Sequence, residues 1–302
     1  GEITVPARKI LDICKSLTDG STIEVKLIDS KLVLKSGRSR LTLTTLPASE
    51  FPSVEEEPDT FSLGITQAKL RELLDSTSFA MAQQDVRYYL NGMLFEVGAE
   101  YLRVVATDGH RLAMETVNMA NSISETQQLI LPRKGVVELA RLLSDEGGSI
   151  DLTFGQNHIR AAIPEYTFTS KLVDGKFPDY NRVLPKGGDK VLTGDCQELR
   201  QAFARAAILS NEKYRGVRII LSSGELKILA NNPEQEEAEE VVSVEYQGDA
   251  VEIGFNVSYL IDVLSTIASK KVKITLSDPD SSALLEAGEG SDALYVVMPM
   301  RL

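Results

Sequence analysis

Ile3-Thr4-Val5-Pro6-Ala7-Arg8-Lys9-Ile10-Leu11-Asp12-Ile13-Cys14-Lys15-Ser16-Leu17 opens with a short β-like run, then a proline, then apolar residues at helical spacing. Ile10, Ile13, Cys14 and Leu17 fall at i, i+3, i+4 and i+7, one face of a helix. Pro6 marks its start, because a helix's first N–H groups have no partner within the helix. Three more runs follow: Thr22 to Leu27, Leu32 to Lys35 and Arg40 to Thr45. The pairs Asp29-Ser30 and Ser36-Gly37 divide them as turns. The stretch reads as β-α-β-β-β, a unit of about 60 residues.

The same reading recurs four times. Helical stripes fall at Leu70, Leu73, Leu74 (broken by Thr77); Val136, Leu139, Ala140, Leu143; Leu199, Ala202, Phe203, Ala206; and Leu260, Val263, Leu264, Ile267. Each has a start signal: Thr66, Pro132, Asp195 with Glu198 three residues on, and Asn256. Short β-like runs precede them at Phe61-Ser62-Leu63, Leu129-Ile130-Leu131, Lys190-Val191-Leu192 and Val251-Glu252-Ile253. The units alternate between two types. One type follows its helix with Arg87-Tyr88-Tyr89 or Lys213-Tyr214-Arg215; two copies of the other end in Phe51-Pro52 and Phe177-Pro178. One copy of each type makes a domain, so an α+β protein with domains at 1–60, 61–186 and 187–302 is expected. Three copies of one type stand against two of the other, and the chain begins with Gly1. We therefore expect the first domain to lack its N-terminal half.

With 43% hydrophobic and 25% charged residues the composition is that of a soluble globular protein, and no apolar run is long enough for a membrane span. Cys14 and Cys196 stand far apart, which disfavours a disulfide or zinc site and fits a reducing cytoplasm. The net charge of -12 argues against a protein that grips nucleic acid by total charge. The five helices nevertheless carry more basic than acidic residues, and the acidic excess lies outside them. A solvated helix face explains any one of these cations; an excess summed over a repeat points to a positive wall for phosphates. Asp108-Gly109-His110-Arg111 has acid–base character, but only His110 and His158 are present. Phosphate-binding glycine loops, HExxH helices and CxxC pairs are missing, so no enzyme, metal or cofactor is expected. A repeat scaffold that assembles proteins without enclosing DNA is the alternative reading.

Four segments carry a family resemblance. They are Phe79-Ala80-Met81-Ala82-Gln83-Gln84-Asp85-Val86-Arg87-Tyr88-Tyr89-Leu90-Asn91-Gly92-Met93, Ala106-Thr107-Asp108-Gly109-His110-Arg111-Leu112-Ala113, Asn231-Asn232-Pro233-Glu234-Gln235-Glu236-Glu237-Ala238-Glu239-Glu240, and Tyr295-Val296-Val297-Met298-Pro299-Met300-Arg301-Leu302. The chain resembles the bacterial DNA polymerase III beta subunits, the sliding clamps. The resemblance implies clamp-type domains in a head-to-tail homodimeric ring around duplex DNA, with helices inside and sheets outside. It also implies, as partners, the DNA polymerase III core, other DNA polymerases, the clamp loader and repair proteins carrying a short clamp-binding peptide.

For that peptide the resemblance implies a groove of Leu90, Thr107, Gly109, His110, Arg111, Leu112, Pro178, Arg182, Val183, Asn256, Tyr259, Ser282, Val296, Met298, Pro299, Met300, Arg301 and Leu302. By composition alone, Val296 to Leu302 reads as a buried final strand with a frayed tail. For DNA the matching positions are Gln84, Arg87, Tyr88, Tyr89, Arg133 and Lys134; Arg8, Lys9, Arg205 and Arg215 join them on charge and placement. For the subunit joint, Arg38, Arg40, Leu41 and Leu43 match one side, and Ile208, Leu209, Glu236, Glu237, Glu239 and Glu240 the other. A solvated acidic loop is the plain alternative for the glutamates. A domain lacking half its units would weaken such a ring.

Overall fold

Every helix begins at the residue that its start signal marks. The computed structural model describes residues 1–52, 58–163, 166–288 and 291–301, and the chain divides into two compact units, Gly1–Glu57 and Pro58–Leu302. Leu302 lies outside the described residues.

In the smaller unit, β1 (Ile3–Thr4) leads through Pro6 into α1 (Ala7–Ser16), followed by β2 (Glu24–Ile28), β3 (Lys31–Ser36), β4 (Ser39–Thr44) and β5 (Leu46–Pro47). β2, β3 and β4 form an antiparallel sheet in that order, and β1 pairs with β5. Leu32, Leu34 and Leu43 make a small core against which Ile10 and Ile13 pack half-buried. The Cys14 end of the stripe stays exposed. All of β2 is exposed, with Val25 and Leu27 more than half so.

The larger unit holds four repeats: β6 (Asp59–Thr66), α2 (Gln67–Thr77), β7 (Gly92–Gly98), β8 (Tyr101–Thr107), β9 (Arg111–Asn118); β10 (Gln127–Pro132), α3 (Arg133–Leu142), β11 (Ser149–Gly155), β12 (His158–Ile163), β13 (Tyr166–Lys171); β14 (Lys190–Asp195), α4 (Cys196–Ile208), β15 (Gly216–Ser222), β16 (Glu225–Asn231), β17 (Glu237–Ser243); and β18 (Val251–Asn256), α5 (Val257–Thr266), β19 (Lys271–Leu276), β20 (Ala283–Ala287), β21 (Leu294–Val297). Three helices are capped by side chains. Thr66 accepts from the Lys69 N–H, Asp195 from those of Gln197 and Glu198, and Asn256 from that of Ser258. Leu70, Leu73 and Leu74 are fully buried, each worth about 1.5–3 kcal/mol of transfer free energy. Thr77 stays in the buried stripe because its hydroxyl donates to the Leu73 carbonyl at 2.7 Å.

Leading strands cross to the neighbouring repeat. β6 pairs with β11 and β10 with β7; β14 pairs with β19 and β18 with β15. Each exchange closes two repeats into one body, with α2 packed on α3 and α4 on α5. β9 and β21 then join edge to edge, so one sheet of eight strands runs β10-β7-β8-β9-β21-β20-β19-β14.

Candidate functional site

The β9–β21 joint builds a largely apolar hollow. Val296 stands opposite Leu112 and Val297 opposite Arg111. Past β21 the tail is not frayed: the Met298 N–H donates to the His110 carbonyl and the Met300 N–H to the Gly254 carbonyl, both at 2.9 Å. The cavity beside the joint holds about 170 Å³. That is room for one large aliphatic or aromatic side chain, since a similar volume takes a benzene. Leu90, Leu112 and Val296 form its buried floor; Pro178, Val183 and Met298 form apolar walls.

Its polar rim comes from the tight turn between β8 and β9. Gly109 sits at φ +90°, a conformation that side chains with a Cβ rarely adopt. The Asp108 carboxylate accepts from the N–H groups of His110 (2.9 Å) and Arg111 (3.0 Å), and the Thr107 hydroxyl accepts from the Gly109 N–H. Arg111 is fully engaged. Its guanidinium reaches Asp108, Asp262 of α5 and the Phe79 carbonyl, and lies over the Phe79 and Tyr259 rings. His110 stacks on Tyr259 at 6.3 Å between ring centres. Arg87 grips Asp85 through Nε and Nη2 (3.0 and 2.8 Å) and donates to the Asp108 carbonyl at 3.1 Å. Hydrogen bonds from Arg87 hold the Asp85 carboxyl down to about 2 and in turn push the Arg87 value up.

Family models cover nearly the whole chain: DNA polymerase III beta subunit, N-terminal domain, matches residues 1–55; the central domain matches 64–179; and the C-terminal domain matches 181–301. The chain belongs to the DNA polymerase III beta subunit family. A beta sliding clamp from Escherichia coli (strain K12) is 52% identical over 302 residues, which is 100% of this chain and 82% of that protein. The crystal structure of a DNA polymerase sliding clamp from Pseudomonas aeruginosa with ligand is 62% identical, with a TM-score of 0.95, over 100% of this chain and 82% of that one. A P. aeruginosa sliding clamp bound to griselimycin matches at 62% identity and a TM-score of 0.94 over the same shares of each chain. The smaller unit thus corresponds to part of the family's N-terminal domain, and the chain spans about four fifths of each relative's length.

Of the groove positions that the family resemblance implies, ten line the cavity: Leu90, Thr107, Gly109, His110, Arg111, Leu112, Pro178, Val183, Val296 and Met298. The others do not. Arg182 is exposed beside Asp179, and Asn256 caps α5. Tyr259 lines a neighbouring, more polar hollow under His110 and Arg111. Ser282 is off the wall, Pro299 and Met300 run beside β18, and Arg301 pairs with Asp280. Three lining residues escaped the sequence reading. Asp179 and Tyr180 follow directly on Pro178, and Arg87, placed with the DNA contacts, turns its guanidinium toward the cavity.

The DNA set of the beta subunit reading divides. Arg8, Lys9, Gln84 and Lys134 are exposed, as is Tyr88; Tyr89 and Arg133 are half-buried, with Arg133 donating to the Met81 carbonyl. Two positions have partners within the chain. Arg215 donates to the Ala207 carbonyl at 3.0 Å and so caps the C-terminal end of α4, where unpaired carbonyls attract a cation. Arg205 is held by both carboxylate oxygens of Glu240 at 2.8 and 2.6 Å, which joins a residue of the DNA set to one of the interface set. In the interface set, Arg38 and Arg40 are exposed at β4 and Leu41 is half-buried; Leu43 is instead a core residue of the smaller unit. Ile208 is 75% exposed at the end of α4, with Leu209 beside it half-buried. Glu236 accepts from Asn232 and Glu239 pairs with Lys227, while Glu237 is exposed on β17.

Proposed function

We propose that the chain is a DNA sliding clamp, a non-catalytic processivity factor of the cytoplasm. It encircles duplex DNA without reading sequence and holds polymerases and other partners by a short peptide. The match of three consecutive beta subunit domain models along the chain supports this most directly. The apolar cavity at the β9–β21 joint supports the peptide reading, because a concave apolar hollow with a few oriented polar groups takes an apolar anchor residue. In this reading residues 1–60, 61–186 and 187–302 serve as the three clamp domains. Residues 1–57 are then one repeat of a domain that takes two, as the exchanged leading strands of the larger unit do twice.

Two edge strands suit a head-to-tail joint. β4 ends its sheet and presents Arg38 and Arg40; β17 ends another and presents Glu237 and Glu239. Opposite charges on unpaired edges favour pairing of β4 in one copy with β17 in the next. Exposed cations of the DNA set (Arg8, Lys9 and Lys134) would face phosphates, with Gln84 and Tyr88 beside them.

Retention on DNA tests the whole reading. Protein loaded on nicked circular DNA stays bound through gel filtration and leaves when a restriction enzyme cuts the circle. Equal retention on circular and linear DNA marks a surface binder. No retention on either, with partner peptides still bound, returns the scaffold reading.

A further inference from the structure

We propose that Tyr180 and Glu96 form a latch that sets the shape of the apolar cavity, and so act as positioning residues for whatever binds there. The inference rests on the reading of that cavity as the docking site.

One wall of the cavity is not part of any sheet. Pro178, Asp179 and Val183 belong to the connector between β13 and β14, which makes one short 3-10 turn at Tyr180–Arg182. Backbone bonds tie the chain to its surroundings just before this stretch, from Leu172 to Asn157 and from Val173 to Ile130. Strand pairing resumes at Lys190. Between them, among the described residues, the Tyr180 hydroxyl makes the only hydrogen bonds from residues 174–188 to the strands. It donates to Glu96 Oε1 on β7 at 2.8 Å and accepts from Arg103 Nη1 on β8 at 2.9 Å.

The anchor is a buried carboxylate, and it is well supplied. Glu96 also accepts from Gln128 at 2.7 Å, Tyr101 at 3.0 Å and Arg103 at 3.3 Å, so four side chains from two strands and the connector converge on one group. A carboxylate taken out of water needs such a set, since each missing donor leaves a charge uncompensated. Burial pushes the Tyr180 phenol up to about 12, so it remains a donor at neutral pH. The Tyr180 ring packs in the same buried cluster as Leu90, Leu112 and Val296, the cavity floor. Apolar packing of that ring is non-directional; the hydroxyl bond fixes how far the wall stands from the floor.

Griselimycin is the probe, because a relative 62% identical has been seen bound to it. Tyr180→Phe keeps the ring and deletes the latch, and Glu96→Gln keeps the shape and removes the charge. Each is expected to speed dissociation about threefold to tenfold with little change in association, as the unlatched wall opens more readily around the bound molecule. Amide exchange at residues 177–184 should quicken in both variants, and the double variant should be no worse than the more damaging single one. Thr77→Val removes a buried hydroxyl from α2 and serves as the stability control; its dissociation rate should match wild type. Tyr180→Phe with unchanged dissociation and exchange overturns the latch while the cavity reading stands. A Met298→Lys change on the half-exposed rim should weaken griselimycin. If it does not, the cavity reading fails and the latch falls with it.

Discussion

Replacing Gly109 with alanine separates backbone strain from a change in the cavity rim, provided Gly224→Ala is made alongside. Gly109 lies at φ +90° and Gly224 at φ +81°, so an added Cβ costs roughly 1–2 kcal/mol at either site through the left-handed backbone alone. The two differ in what that Cβ meets. At Gly224 there is nothing within 4 Å, whereas at Gly109 it would stand 2.9 Å from Arg87 Nη1. The guanidinium must move, giving up its bond to the Asp108 carbonyl. Because Arg87 is half-exposed, that loss costs little further stability. Gly109→Ala should therefore unfold at only slightly lower denaturant than Gly224→Ala. Griselimycin binding measured by calorimetry should part them clearly: about tenfold weaker for Gly109→Ala, on the scale of 1.4 kcal/mol per decade, and unchanged for Gly224→Ala. Equal affinity in the two variants would show that the Arg87 rim has no part in binding.

Three further outcomes follow from buried or paired groups. Glu115 is 1% exposed under α2, with Ser76 on one oxygen and Lys69 only 3.7 Å from the other, and burial pushes its value up. The native state then holds this proton more tightly than the unfolded chain, so stability falls as pH rises from about 4.5 through the raised native value. Glu115→Gln should be the more stable protein at pH 8 and lose that lead near pH 4; thermal melts showing it less stable at pH 8 would mean the charge is a net benefit. In DNA binding, Lys134→Ala should lower the slope of log affinity against log salt by about 1, and Arg205→Ala by less, since Glu240 already neutralises Arg205. Equal slopes would refute that distinction. A thiol reagent should label exposed Cys14 at once and buried Cys196, whose thiol burial pushes up, only in denaturant; two fast thiols would contradict the α4–α5 packing.

Helix boundaries were legible because their causes are local. Pro6, Thr66, Pro132, Asp195 and Asn256 each end up as the residue before a helix, and a cap acts over three residues. The five-fold repeat was legible for the same reason, being a recurrence of short patterns. Strand exchange between repeats was not, because β6 reads the same whether it pairs with its own repeat or with β11. The cavity inherits that difficulty. Its floor forms where β9 meets β21, and the residues that the sequence reading missed, Arg87, Asp179 and Tyr180, are polar neighbours of residues that the family resemblance supplied. Long-range pairing also gave two cations partners within the chain: Arg205 met Glu240, and Arg215 met the end of α4.

What remains of the helical charge is more specific than the excess first counted. Lys69, Arg71, Arg141 and Arg205 all have carboxylate partners within the chain. Arg8-Lys9 and Arg133-Lys134 have none among the described residues, and both pairs fall in a first turn just after Pro6 or Pro132. Cations there oppose the helix dipole and cost about 0.3–1 kcal/mol each. Neither helix has an acidic residue in its first turn to offset them. A polyanion arriving at these ends reverses the sign. It meets the positive end of the helix dipole and two positive side chains together, so the arrangement that weakens each isolated helix strengthens its hold on phosphate. The repeats of the other type begin with Gln67 and Cys196 instead and have paired most of their cations internally. In the proposed clamp, phosphate contact therefore alternates along the chain, strong at α1 and α3 and weak at α2 and α4, which leaves the duplex held at few points and free to slide.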